Sequence, residues 1–108
     1  MELTRLPDGE GWRLGDTTFV FDYGRGSAAD RFLIRKPPDL VDLYAELGTR
    51  FRHANILELG IAAGGSTALL ALLTQPSNLI ACELDPEPVA ALAEFIDARG
   101  LASVVRPF

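Results

Sequence analysis

The stretch Ile56-Leu57-Glu58-Leu59-Gly60-Ile61-Ala62-Ala63-Gly64-Gly65-Ser66-Thr67 decides the fold. A short apolar run enters a glycine-rich turn and leaves it as the start of a helix. Glycine admits positive φ and lets a ligand approach the main chain, while the first N–H groups of the following helix have no internal partners. The stretch therefore reads as a nucleotide-cofactor loop. The plainer alternative is a tight strand-to-helix turn whose glycines serve only close packing.

Downstream, Ser66 to Thr74 is apolar nearly all round, which predicts a helix covered on more than one side. Gln75-Pro76-Ser77-Asn78 ends it. A second strand, Leu79-Ile80-Ala81-Cys82, stops at Glu83-Leu84-Asp85. The next helix carries Asp85 as N-cap, Pro86 at its first position, Val89, Leu92, Ala93 and Ile96 on one face, and Gly100 just past its end. Ser103 to Phe108 begins a third strand. Strands alternating with helices of this length imply βαβ units, so the expected fold class is α/β, a partial Rossmann-like doubly wound parallel sheet in the order β-α-β-α-β.

Upstream, residues 1–10 are polar and suggest a mobile lead-in. Trp12 to Leu14 and Thr17 to Phe21 flank the two-residue turn Gly15-Asp16, which predicts a β-hairpin. Asp22 to Asp30 reads as a loop, and Arg31 to Lys36 holds another short apolar run before Pro37-Pro38 forbids regular continuation. The period then becomes helical: Leu40, Leu43, Tyr44, Leu47 and Phe51 share a face, with Asp39 where an N-cap would stand. The expected organisation is residues 1–36 as hairpin and lead-in, and 37–108 as the amino-terminal half of a Rossmann-like domain.

Composition narrows the function classes. The 108 residues are 48% hydrophobic and 23% charged, normal for a globular protein, and no run approaches the ~20 apolar residues that cross a bilayer. No signal peptide is visible, which points to the cytoplasm and away from membranes. A net charge of −5 argues against nonspecific nucleic-acid affinity, since phosphate binding needs concentrated Lys and Arg. One cysteine, Cys82, excludes an intrachain disulfide and reads as a small hydrophobe. One histidine, His53, reads as solvated or paired with a helix C-terminus, and no metal site is expected.

Glu58-Leu59-Gly60 with Gly64-Gly65-Ser66-Thr67, followed by Glu83 at the next strand's end, resembles the first two motifs of class I S-adenosylmethionine-dependent methyltransferases. The run Ile34-Arg35-Lys36-Pro37-Pro38-Asp39-Leu40, a helix containing Tyr44 and the Gly64-Gly65-Ser66 turn are similar to the cephalosporin hydroxylase and sugar O-methyltransferase branch. The resemblance implies that Gly60, Ile61, Ala62 and Gly64 pass beneath the methionine and ribose portions of S-adenosylmethionine, with Ser66 at the helix start. It implies that Glu58 holds the loop and the donor's amino end, that Glu83 receives the ribose hydroxyls, and that Leu84 packs beside the adenine. A carboxylate can accept two hydrogen bonds from a vicinal diol, and ionised acceptors make the stronger bonds. The product would be S-adenosylhomocysteine.

A dinucleotide is the competing cofactor, because Gly60-x-Ala62-x-x-Gly65 nearly satisfies the Rossmann fingerprint. Against it, Ala62 would crowd the approach of a pyrophosphate, and Glu58 suits a cationic sulfonium better. In the resembled strand order 3-2-1-4-5-7-6, the fourth strand and the loops that carry acceptor pocket and catalytic groups would follow Phe108. The chain is thus expected to be the amino-terminal half of a longer enzyme that methylates a small-molecule hydroxyl, with no turnover alone and no catalytic residue assignable. An open first strand predicts a homo-oligomer through that edge or the hairpin. The alternative is a self-associating α/β module without activity.

Overall fold

The computed structural model describes residues 2–21 and 26–108; residues 22–25 of the expected 22–30 loop lie outside the described residues. Among the described residues, seven strands form two sheets. The first contains β1 (Leu3–Arg5), β2 (Gly11–Leu14), β3 (Thr17–Val20) and β4 (Arg31–Leu33), in that spatial order. The first two pairings are antiparallel and β3 runs parallel to β4. The predicted hairpin is present, with Gly15 at φ 62 as the first residue of its turn. The lead-in is not the mobile segment expected: Leu3 pairs with Leu14 and Arg5 with Trp12. Its polar composition hid an edge strand whose backbone groups find partners on β2 and whose Arg5 guanidinium lies 4.8 Å above the Trp12 ring.

The second sheet is parallel throughout, in the order β5 (Asn55–Leu59), β6 (Asn78–Cys82), β7 (Val105–Pro107). Helices α1 (Pro38–Arg50), α2 (Gly65–Thr74) and α3 (Ala90–Ala98) complete the α/β architecture. The parallel sheet and its crossover helices match the fold class read from the sequence. Among the described residues β5 pairs only with β6, leaving its other edge open with Leu57 and Leu59 exposed.

One hydrophobic cluster draws on both sheets. Trp12, Phe19 and Phe32 from the first share it with Phe95 of α3, and the Phe32 and Phe95 rings stand edge-to-face at 5.5 Å, an arrangement worth about 0.5–1.5 kcal/mol beyond burial. The hairpin turn is also clasped to the end of α3: Arg99 donates to Asp16 and, at 2.9 Å, to the Thr17 hydroxyl. The Arg99 hydrogen bond holds the Asp16 carboxyl below its ordinary value, with Thr17 adding to the effect. Helix α2 is buried along nearly its whole length, as its all-round apolarity requires.

Two helix readings are corrected. The N-cap of α1 is Pro37, with Pro38 in the first turn, so Asp39 lies inside the helix and makes no cap. Its buried face centres on Val41 and Gly48, not on the leucine stripe; Leu43 is 46% and Phe51 51% exposed. The reason is close approach: a Cβ on Gly48 would stand 2.8 Å from Leu73 Cβ, so α1 packs on α2 through its smallest residue. Helix α3 begins at Ala90 with Val89 as N-cap, four residues after the expected N-cap Asp85. Pro88 forces this, because the residue before a proline is pushed out of the helical region. Asp85 instead accepts from the Glu87 N–H at 3.0 Å in a local turn. The expected stop is present: Gly100 adopts φ 66, and the Leu101 N–H reaches the Ile96 carbonyl.

No described helix is long and apolar enough to cross a membrane.

Candidate functional site

The site lies where β5 and β6 end side by side, Leu59 opposite Cys82. A parallel sheet delivers its ligand crevice there, outside the carboxyl ends of the strands. Leaving β5, the chain turns through Gly60 at φ 95, Ala62 at φ 50 and Gly64 at φ 90 before α2 begins. Ala62 holds a left-handed conformation that a residue with a Cβ adopts only when its surroundings impose it.

Those surroundings include Glu83. One carboxylate oxygen accepts the N–H groups of Ile61 at 2.8 Å and Ala62 at 3.0 Å, and the other accepts that of Asp85 at 3.0 Å. These backbone bonds, that of Ala62 foremost, pull the Glu83 carboxyl from 4.5 down to about 2. The residue is therefore an ionised clamp between the tip of β6 and the bare backbone of the turn.

Glu58 has a different task. It is buried at 9% exposure on β5 and takes the Ser66 hydroxyl on one oxygen at 2.7 Å and the Thr67 hydroxyl on the other. It ties the strand to the first turn of α2 and thus fixes the loop from behind. The neighbouring Tyr44 hydroxyl has its pKa raised by burial first and by the Glu58 charge second.

A hollow of about 210 Å³ opens at the turn, lined by Leu59 to Ala63, Gly65, Ser66 and Glu83 together with Leu33, Arg35 and Lys36 from the segment before α1. Of the residues expected to bind a cofactor, Gly60, Ile61, Ala62, Ser66 and Glu83 are brought together here. Glu58, Gly64 and Leu84 are not on its wall. Gly64 packs behind the turn, where a Cβ would meet Phe32, Leu92 and Val89 at 3.3 to 3.4 Å, and Leu84 is fully exposed. Gly60 faces open space, with nothing within 4 Å of an added Cβ. Arg35 and Lys36 were missed as wall residues; their signal was two consecutive cations just before a Pro-Pro break. His53 sits at the other end of β5, its ring Nδ1 3.0 Å from the Gln75 carbonyl beside the end of α2. Cys82 is a half-buried free thiol. Among the described residues no group of three His, Cys, Asp or Glu could hold a metal ion.

With that geometry established, comparison with known proteins gives its chemistry a direction. Over 74 residues the chain is 36% identical to a tRNA (guanine-N(7)-)-methyltransferase of Cupriavidus necator, and 35% identical to a protein of the same name from Cupriavidus metallidurans. Its curated homologues are methyltransferases. Each alignment covers 68% of this chain and 27% of the relative, so the chain spans about a quarter of the length of the relatives it matches. No family model matches the chain, and no solved structure matches it.

The matches support the methyltransferase reading and leave the narrower cephalosporin hydroxylase and sugar O-methyltransferase branch without support. They also correct the expected partners. A small-molecule substrate with no nucleic acid conflicts with relatives named for tRNA. The charge argument misled because a net charge of −5 bears on diffuse, nonspecific attraction.

Proposed function

We propose that this chain provides the S-adenosylmethionine site of a methyltransferase that acts on guanine N7 in tRNA. The observation that carries the donor site is the meeting of an open glycine turn with an ionised carboxylate on the neighbouring strand tip. The acceptor comes from the names of the relatives. Residues 37–108 supply most of the cofactor-binding part; the described residues of the first sheet back it through the shared core, and Leu33, Arg35 and Lys36 complete the lining of the hollow.

The residues present fit the donor. Gly60 leaves its face of the turn clear, and Glu83 offers oxygen acceptors at the rim of the hollow. A carboxylate has about four lone-pair sites, and three backbone N–H groups already occupy Glu83. Seating both hydroxyls of a ribose therefore exchanges at least one loop amide bond for a hydroxyl bond. Glu58 and Ser66 keep the start of α2 in place, and the negative charge around the turn suits a cation. Leu84, exposed beside Glu83, supplies an apolar surface for the base.

When bound, S-adenosylmethionine supplies a methyl group on a positively charged sulfur that departs as the thioether S-adenosylhomocysteine. Guanine N7 presents an unprotonated lone pair in the major groove, so its methylation requires in-line positioning and no general base. The chain's task is then orientation by Gly60, Ile61, Ala62 and Glu83.

Calorimetric titration with S-adenosylmethionine, S-adenosylhomocysteine and NADH tests the donor site. Saturable heat from the first two and silence from NADH is expected, with affinity falling roughly tenfold or more in Glu83→Ala, as for a hydrogen bond to a charged group. Saturation by NADH alone, or no heat from either sulfur nucleoside, overturns the reading. Labelled methyl incorporation into tRNA guanine tests the acceptor.

A further inference from the structure

The lining of the hollow carries charges of both signs. Glu83 stands at the tip of β6, while Arg35 and Lys36 enter from the segment that joins β4 to α1. The proposed function gives these cations no role. Lys36 is nevertheless well placed to have one. The next residue, Pro37, is fixed in an extended conformation (φ −64, ψ 155) as the cap of α1. The Lys36 ammonium lies 6.0 Å from the centroid of the Tyr44 ring on that helix. A cation–π contact positions an ammonium without neutralising it, so its N–H donors remain available to an anion.

The glycine turn itself is poorly disposed towards an anionic ligand group. The N–H groups of Ile61 and Ala62, which would cradle a phosphate, are already held by the Glu83 carboxylate. An anionic group in the hollow is drawn instead to the two cations of its lining, Arg35 and Lys36. A ligand with a diol at one end and a carboxylate at the other matches this polarity.

We infer that Lys36 is a ligand-binding residue that recognises the carboxylate of the donor's amino-acid end, across the glycine turn from the ribose held by Glu83. This rests on the donor-site reading above and adds direction to it: the nucleoside lies towards β6 and the amino-acid end towards the β4–α1 junction. Arg35, on the same wall, adds positive potential.

The test uses S-adenosylhomocysteine and 5′-methylthioadenosine, which share the nucleoside and thioether but differ in the amino-acid carboxylate. Both are titrated calorimetrically into the wild-type protein, Lys36→Met and Lys36→Arg. The wild type is expected to prefer S-adenosylhomocysteine. Lys36→Met should lose roughly tenfold in affinity for it while binding 5′-methylthioadenosine as the wild type does, which also shows that the variant folds. Lys36→Arg should keep most of the preference. Equal affinity of the wild type for both ligands, an equal loss for both in Lys36→Met, or no loss at all overturns the assignment of Lys36 and leaves the donor site standing. Failure of the wild type to bind either ligand overturns both.

Discussion

The front and the back of the glycine turn are built on different principles. At the front, an added Cβ on Gly60 meets nothing within 4 Å, and the backbone N–H groups of Ile61 and Ala62 rest on the Glu83 carboxylate, while the Ile61 side chain anchors the turn in the core. At the back, Gly64 is pressed on Phe32, Leu92 and Val89, and a Cβ on Gly65 would collide with the Leu33 carbonyl oxygen and stand 3.1 Å from Ile34 Cα. Close packing therefore accounts for Gly64 and Gly65, and leaves the open face of Gly60 unexplained by packing.

The largest expected effect breaks the back. Gly65→Ala forces α2 away from β4 and should cost about 2–3 kcal/mol, the scale of overpacking in a tight interior. Urea unfolding measures it, and a loss under about 0.5 kcal/mol, the scale of ordinary surface substitutions, would show the approach is not constraining. Next, Glu58→Ala leaves the buried Ser66 and Thr67 hydroxyls without their acceptor. It should cost about 1–3 kcal/mol, with Glu58→Gln closer to wild type in the same unfolding series.

At the front, Gly60→Ala should cost only about 1 kcal/mol, the strain of positive φ on a residue with a Cβ. Its larger consequence should be weaker binding of S-adenosylhomocysteine, read by calorimetry. If Gly60→Ala and Gly65→Ala unfold alike and bind alike, the division of the turn fails. The smallest effect is the titration of Glu83. Its folded pKa is depressed, so the stabilisation from its clamp is fully present above 4.5 and is lost as pH falls through about 2. Carboxyl NMR should place its midpoint near 2, with the Ile61 and Ala62 amide shifts following the same curve; a midpoint near 4.5 would mean that the clamp does not form in solution.

The sequence made the parallel sheet legible because turn residues bracket its strands closely. Asn55 to Leu59 is bounded by Arg52-His53-Ala54 and Gly60, and β5 has those limits. What escaped depends on tertiary contact. The edge strand Leu3–Arg5 has no periodicity of its own, and its order comes from β2. The face of α1 was misjudged because hydrophobic spacing counts leucines, whereas the contact with α2 was decided by the absence of a side chain at Gly48. At α3 the Asp85-Pro86 signal was real as a turn, and Pro88 overrode it as a helix start.

The site followed a similar rule. Glu83 was legible as an acidic strand tip beside a glycine turn, but its three backbone partners were not, because they depend on the register that sets Leu59 beside Cys82. Glu58 was expected to hold both loop and ligand, and its two hydroxyl partners show the first of these tasks. Gly64 could not be separated from Gly60 by residue type alone; the aromatic ring behind one and the open space before the other make the difference.

The three N–H groups gathered on Glu83 have a consequence for acid–base chemistry. A group that stays ionised down to about pH 2 has almost no protonated form to offer near neutrality and is too weakly basic to strip a proton from an alcohol. Glu83 is thus unsuited to serve as a shuttle, however close it lies to a reacting centre. A catalyst assembled around it is confined to acceptors that arrive as competent nucleophiles, or must draw its base from another part of the protein.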